Sequence, residues 1–210
     1  MNLCSIRGTQ RGVDPVPKLT VVPAPPAALE ERSDDELMLL ARGGRPEAFD
    51  ALVRRHQQQL LRTCFRILGQ RSLAEDAAQA AFVELYRYLP RYHAQGKLRA
   101  LLHRMALNQS RMLLRSRRSA DRKATALNLE PLPPSTLPDE HILERERQRG
   151  VDAALARLPR AQRETLALRF AGDLSVEETA EVLRVPIGTV KSRVFHGLSR
   201  LRSLLKSEAP

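Results

Sequence analysis

Two blocks of apolar residues spaced three and four apart, separated by a proline-rich stretch, constrain this chain more than any other feature. In the first block Ala48, Leu52, Val53, His56, Leu60 and Leu61 recur at helical spacing, as do Leu73, Ala77, Ala81, Leu85 and Tyr88. A period near 3.6 gathers such residues on one face of a helix, whereas a strand alternates with period two. Ser33-Asp34-Asp35-Glu36 is a capping box at the head of this block, and Gly43-Gly44, Gly69 and the stretch Pro90 to Gly96 punctuate it. Residues 33–119 are therefore expected to hold four helices around one small core. Pro131, Pro133, Pro134 and Pro138 fall where no apolar period survives, so 120–140 reads as a flexible linker. A second helical block occupies 141–206. Residues 1–32, with Pro15, Pro17, Pro23, Pro25 and Pro26, read as a disordered N-terminal tail. The expected fold class is all-α, with two small helical domains.

Composition supports helices: Leu, Ala and Arg are plentiful, while there are three Tyr, five Phe and no Trp. Charge narrows the partners. Thirty-five Lys and Arg against 24 Asp and Glu give a formal +11, which favours polyanions through counterion release. The two cysteines, Cys4 and Cys64, cannot form a disulfide framework, and a reducing cytoplasm suits them. No apolar run approaches the roughly 20 residues that span a bilayer, and Met1 to Arg11 lacks a signal-peptide core. Membrane insertion is not expected.

The second block contains the sharpest local pattern. Gln162 to Phe170 forms a helix that Gly172 can end in the left-handed conformation. Ser175 and Glu178 make another capping box, opening a helix from Val176 to Leu183. The turn Arg184-Val185-Pro186 leads straight into a helix from Ile187, with small Ala180 where the two must pack closely. That is a helix-turn-helix. On the last helix Val190, Val194, Leu198, Leu201 and Leu205 form one stripe. Thr189, Ser192, His196 and Ser199 lie opposite, flanked by Lys191, Arg193, Phe195 and Arg200. No acid occurs from Val182 to Lys206, against six Lys or Arg. An ordinary amphipathic helix with a basic solvated side shares part of this pattern. The turn spacing, the caps and the missing acids together favour the major groove of DNA.

Leu158-Pro159, Gln162-Arg163, Leu168-Arg169 and Gly188-Thr189-Val190-Lys191-Ser192-Arg193 resemble the promoter-reading C-terminal domain of sigma factors of the extracytoplasmic-function (ECF) group. The resemblance implies a helix-turn-helix of winged-helix-like or sigma region 4 type. In it Thr189, Lys191, Ser192, Arg193, Phe195 and His196 would face the minus-thirty-five element, with Arg169 on phosphate. The run Ala74 to Phe82 resembles the polymerase-binding helix of the same group, which implies contacts from Asp76, Gln79 and Phe82. Acids then disappear from Leu85 to Ala120, where nine Lys or Arg occur. An acidic face for a protein beside a basic face for DNA suits a bridging factor. Leu98 to Arg115 resembles the family's minus-ten-reading helix, which implies Arg104, Asn108, Arg111 and Arg115 on DNA. The loop from Tyr92 to Lys97 matches the position at which such factors capture an unpaired base, with Tyr92 and His93 as candidates.

The resemblance covers about 33–118 and 140–206 and implies core RNA polymerase, promoter DNA and an anti-sigma factor as partners. Three positions depart from the family. Leu101 stands where Trp is usual, Arg184 where Gly is common, and His196 where a cation is frequent. A competing reading is a conventional helix-turn-helix activator that binds duplex DNA unaided, with 33–118 as a sensor or dimerisation domain. An enzyme is not expected. His56, His93, His103, His141 and His196 are scattered, adjacent Glu75 and Asp76 point apart on a helix, and there is no phosphate-cradling Gly loop. No catalytic residue, metal or cofactor is expected, and bond formation would belong to the polymerase.

Overall fold

A computed structural model describes residues 29–123 and 150–207, with side chains described through 117 in the first segment. Most of the expected tail and all of 124–149, including most of the expected linker, lie outside the described residues. The described chain is helical, and no strand occurs in it. Among the described residues the helix-turn-helix carries no β-wing.

Four helices form the first domain. They are α1 (Asp34–Arg42), α2 (Pro46–Leu68), α3 (Arg71–Tyr88) and α4 (Leu98–Lys123), with a short 3-10 turn at Leu89–Arg91. The capping box at Ser33 is formed in both directions: the Glu36 amide donates to Ser33 Oγ at 3.3 Å, and the Ser33 amide donates to Glu36 Oε2 at 2.9 Å. Pro46 begins α2, where its missing N–H costs nothing, and Gly69 caps its end with φ +70. Leu37, Met38, Leu52, Leu60, Leu85, Leu98 and Leu102 fill the core between these helices. Order reaches back before Ser33, because Leu29 is buried in that core and Arg55 donates to the carbonyls of Glu30 and Arg32. Likewise α4 continues past Ser119 to Lys123.

The second domain comprises α5 (150–156), α6 (Arg160–Leu166), α7 (Val176–Leu183) and α8 (Ile187–Ser207). A π-helical turn, Ala167–Ala171, extends α6. The expected left-handed Gly172 is instead at φ −84, and Asp173 takes the positive φ of +49. The wider π turn shifts the reversal by one residue, with the Gly172 amide donating to the Ala167 carbonyl. Glycine is required at 172 for a steric reason, since a Cβ there would lie 2.8 Å from His103 Nε2 and from the Leu168 carbonyl oxygen. The stripe expected on α8 is also rotated. Leu198 is 40% exposed, while Gly197 is buried with Leu166 where a Cβ would approach to 3.1 Å. The absent side chain lets α8 close on α6 along that azimuth, and Val194, Leu201 and Leu204 pack beside it.

The two domains share a core. Ile67, Ala100 and Leu107 of the first pack with Ala167, Leu168, Leu174, Val182 and Leu183 of the second. A unit of this size buries only about 60% of its unfolded surface, so docking supplies apolar burial it lacks alone. On α4 the residues facing the other domain (Ala100, His103, Leu107) lie on a different side from Leu98, Leu102, Met105 and Ala106, which face the first core. The helix carries two apolar stripes, and that requires a partner on each.

Candidate nucleic-acid and polymerase interface

At about 100° per residue, Arg104, Asn108, Arg111 and Arg115 share one face of α4. This face adjoins the stripe that packs on the second domain, and the boundary has a consequence. Asn108 and Arg115 are exposed and Arg104 half-buried, but Arg111 is drawn across to Glu164 of α6. Its Nε and Nη2 donate to the two carboxylate oxygens at 3.1 and 2.6 Å, and Arg160 adds a third bond at 2.7 Å. Burial would raise the Glu164 carboxyl, but these hydrogen bonds outweigh it and hold the group below the ordinary carboxylate range. Arg99 donates to Glu178 at 3.1 and 3.3 Å, and Lys97 to Glu181 at 3.0 Å. Arg66 pairs with Asp152. Acids of the second domain thus neutralise cations of the first in the docked arrangement. Glu164 was not foreseen, and its only sequence signal is the Arg160–Glu164 spacing of four.

The first turns of α8 follow the expected phase, and the departure at Gly197 and Leu198 lies further along the helix. Val190 is buried, Thr189 and Arg193 are half-buried, and Lys191, Ser192, Phe195 and His196 are exposed. Phe195 is 70% exposed, and its ring meets His196 edge-on at 5.3 Å. Ser192 Oγ donates to the Thr189 carbonyl at 3.1 Å. The capping box at Ser175 starts α7 as expected, and Arg184 closes it in the left-handed conformation, φ +57 and ψ 50. That residue sets the angle at which α8 leaves the turn. Arg169 lies in the π turn with its guanidinium 6.0 Å from the Phe170 ring centroid.

On α3, Asp76 and Gln79 are exposed and border a shallow depression with Val83, Glu84, Arg87 and Gln109. Gln109 of α4 donates to Glu84 at 2.9 Å. Phe82, expected as the apolar anchor of this surface, is 4% exposed and belongs to the first core, because its position shares the inward face with Ala78 and Leu85. An exposed aromatic does flank the patch: Tyr86, braced edge-on by Phe49 at 5.1 Å. Spacing from Gln79 and Val83 could have revealed it.

Tyr92 is also inside, 3% exposed, with its hydroxyl donated to Asp35. Its ring is not presented to a base. Burial and the adjacent Asp35 carboxylate push its phenol upward. A cavity of about 120 Å³ opens between the 92–97 loop, α4 and α7, lined by Tyr88, Tyr92, His93, Gln95, Lys97 and Arg104 among others. Leu101, in place of the family's usual Trp, is on its wall.

No helix among the described residues is long and apolar enough to cross a membrane. The sequence matches sigma-70 region 2 over residues 52–120 and sigma-70 region 4 over 148–201. It is 30% identical over 186 residues to the RNA polymerase sigma-H factor of Pseudomonas aeruginosa, covering 85% of this chain and 96% of that protein. Identity is 33% over 175 residues to the ECF RNA polymerase sigma factor SigM of Mycobacterium tuberculosis, with 83% and 86% covered. The fold is similar to that of CnrH, solved in complex with the cytosolic domain of CnrY. The TM-score is 0.62 at 26% identity, over 84% of this chain and 99% of that one. The sigma factor RpoE of Bartonella quintana, solved with the anti-sigma factor NepR, shares the fold at 23% identity and TM-score 0.59, over 75% and 98%. The region 2 match accounts for the segment that an activator would have used as a sensor. With a helix-turn-helix behind a basic α4 face, and relatives matched along most of their length, the chain belongs to the sigma-70 family of RNA polymerase sigma factors, in the ECF group, and directs core polymerase to promoters.

Proposed function

We propose that the outward stripe of α4 (Arg104, Asn108, Arg111, Arg115) engages the minus-ten element, while Lys191, Ser192, Phe195 and His196 of α8 read the minus-thirty-five element. Thr189 and Arg193 support that helix, and Arg169 holds phosphate. Asp76 and Gln79, with Tyr86 beside them, contact core polymerase. The observation that carries the reading is the pair of acid-free helical faces, one per domain, each with hydrogen-bonding side chains exposed among cations. Asn can pair a donor and an acceptor with a base edge, and cations hold the phosphates.

The two elements are about 25 base pairs apart, roughly 85 Å at about 3.4 Å per pair. Direct packing of α7 on α4 does not allow that span, so the domains separate to read both. The docked arrangement is that of the free chain, and separation releases Arg111 from Glu164 for phosphate. An anti-sigma factor, like the partner of the Bartonella protein, would act by stabilising the undivided state. The chain does no bond chemistry of its own, and its place of work is the cytoplasm.

Transcription from a promoter library by reconstituted holoenzyme tests these roles. Ser192→Ala with His196→Ala relaxes selection at the upstream element by roughly 1–3 kcal/mol per lost base contact, with core binding intact. Asp76→Ala with Gln79→Ala weakens core binding and leaves promoter choice unaltered in whatever holoenzyme forms. If the first pair impairs core binding, or the second alters promoter choice, the assignment of faces is wrong.

A further inference from the structure

The 92–97 loop is tethered at both ends to a single carboxylate. Asp35, in the first turn of α1, accepts the Tyr92 hydroxyl on Oδ1 and the Gly96 amide on Oδ2, the latter at 2.7 Å. Arg42, at the other end of α1, donates to the Tyr92 carbonyl at 3.1 Å. Neither donor to Asp35 is a cation, so the carboxylate is committed to shaping this loop. Hydrogen bonds to an ionised acceptor are roughly twice as strong as neutral ones, and two bonds through separate oxygens fix orientation as well as distance. Between the tethers His93, Ala94 and Gln95 are exposed, and His93 and Gln95 border the cavity.

The lining of that cavity suits a nucleotide. Tyr88 and His93 offer aromatic surface, Gln95 an amide for a base edge, and Lys97 and Arg104 cations for phosphate. Extruded bases are held by stacking and by hydrogen bonds to their edges. Glu181 and Val182 of α7 close one side, and Lys97 is paired with Glu181, so domain separation would open the cavity and free its lysine together.

We propose that Asp35 is a positioning residue for promoter opening: by clamping Tyr92 and Gly96 it holds the 92–97 loop in the shape that receives an unpaired base of the minus-ten strand. This rests on the reading of α4 and its preceding loop as the minus-ten-binding element. It assigns the clamp to a residue of α1 that touches no DNA.

The test uses holoenzyme reconstituted from the full chain and core polymerase, with two probes: a single-stranded oligonucleotide of the minus-ten region and a fully duplex promoter held too cold to melt. Asp35→Ala lowers affinity for the single strand about tenfold, as expected for losing bonds to a charged acceptor. Tyr92→Phe lowers it by less, and the double variant is no worse than Asp35→Ala. Core binding and duplex binding stay close to the parent, while the thermal midpoint falls by a few degrees because the buried Tyr92 hydroxyl loses its acceptor. A loss of core binding or duplex binding as large as the loss of single-strand affinity would reduce Asp35 to a structural residue and overturn the proposal. So would unchanged single-strand affinity in Asp35→Ala while His93→Ala with Gln95→Ala lowers it, and in that case the loop reading survives. If the His93/Gln95 pair also has no effect, the loop reading itself fails, and the role of Asp35 falls with it.

Discussion

His103 makes the docked arrangement sensitive to acid. It is 1% exposed, on the α4 face that meets the π turn. Nδ1 lies 2.9 Å from the Arg99 carbonyl, which can only accept, so Nδ1 carries the proton. Nε2 has no hydrogen-bond partner and abuts Gly172. Burial pushes the ring pKa down to about 4. The Arg99 carbonyl and Glu178 oppose this, and the charges of His56 and Arg99 add to it. Below the ordinary value of 6.5 the unfolded chain takes up a proton that the folded chain refuses. Stability is therefore lost as pH falls from about 6.5 to about 4, and the loss is complete below that. At about 1.4 kcal/mol per unit, linkage between these values gives a loss of about 2 kcal/mol from pH 7.5 to pH 5. Glu164, Glu178 and Asp34, whose carboxyls are held low against the pull of burial, lose their contributions only below their ordinary values of 4.5 and 3.8. The window above pH 5 thus isolates histidine. Urea unfolding followed by far-ultraviolet circular dichroism, on the parent and on His103→Leu, measures the effect. The parent should lose about 2 kcal/mol more than the variant across that window. Parallel profiles, or an NMR titration midpoint for His103 above about 6, would refute the reasoning.

Gly172→Ala should cost about 1–3 kcal/mol by overpacking, because the new methyl meets both the His103 ring and the Leu168 carbonyl. A denaturant midpoint checks it, and His103→Ala in the same chain should recover only part, the carbonyl clash remaining. Glu164→Ala should destabilise the free chain by about 2 kcal/mol, below the usual cost of breaking a buried pair, because Arg111 and Arg160 keep partial access to water. The same variant should expose the 97–111 face to proteases sooner, which timed proteolysis reads.

How much was legible depended on whether the determining interaction was local. Caps, turns and helix phase involve neighbours within about four residues, so the capping boxes at Ser33 and Ser175 could be read directly. Four helices before the linker and the outward side of Ser192 and His196 followed from the same short-range geometry. Phe82 shows where periodicity stops helping: α3 has a face on water and a face on two helices, and a motif match does not say which face a ring takes. Leu198 and Gly197 show the same limit at the scale of one residue, since the seam of α8 was decided by how closely α6 could approach.

Spacing and charge, by themselves, determined that this chain forms two helical units, one built to read DNA, with acid-rich and acid-free faces kept apart. The tertiary structure alone decided that those units share a core, that Glu164 takes Arg111, that Gly172 makes room for His103, and that Asp35 holds both ends of a loop some sixty residues away. The physical reason is range. Backbone hydrogen bonding and helix phase are settled among near neighbours, but charge pairing and close packing depend on which distant surfaces are brought together, and only the folded chain specifies that.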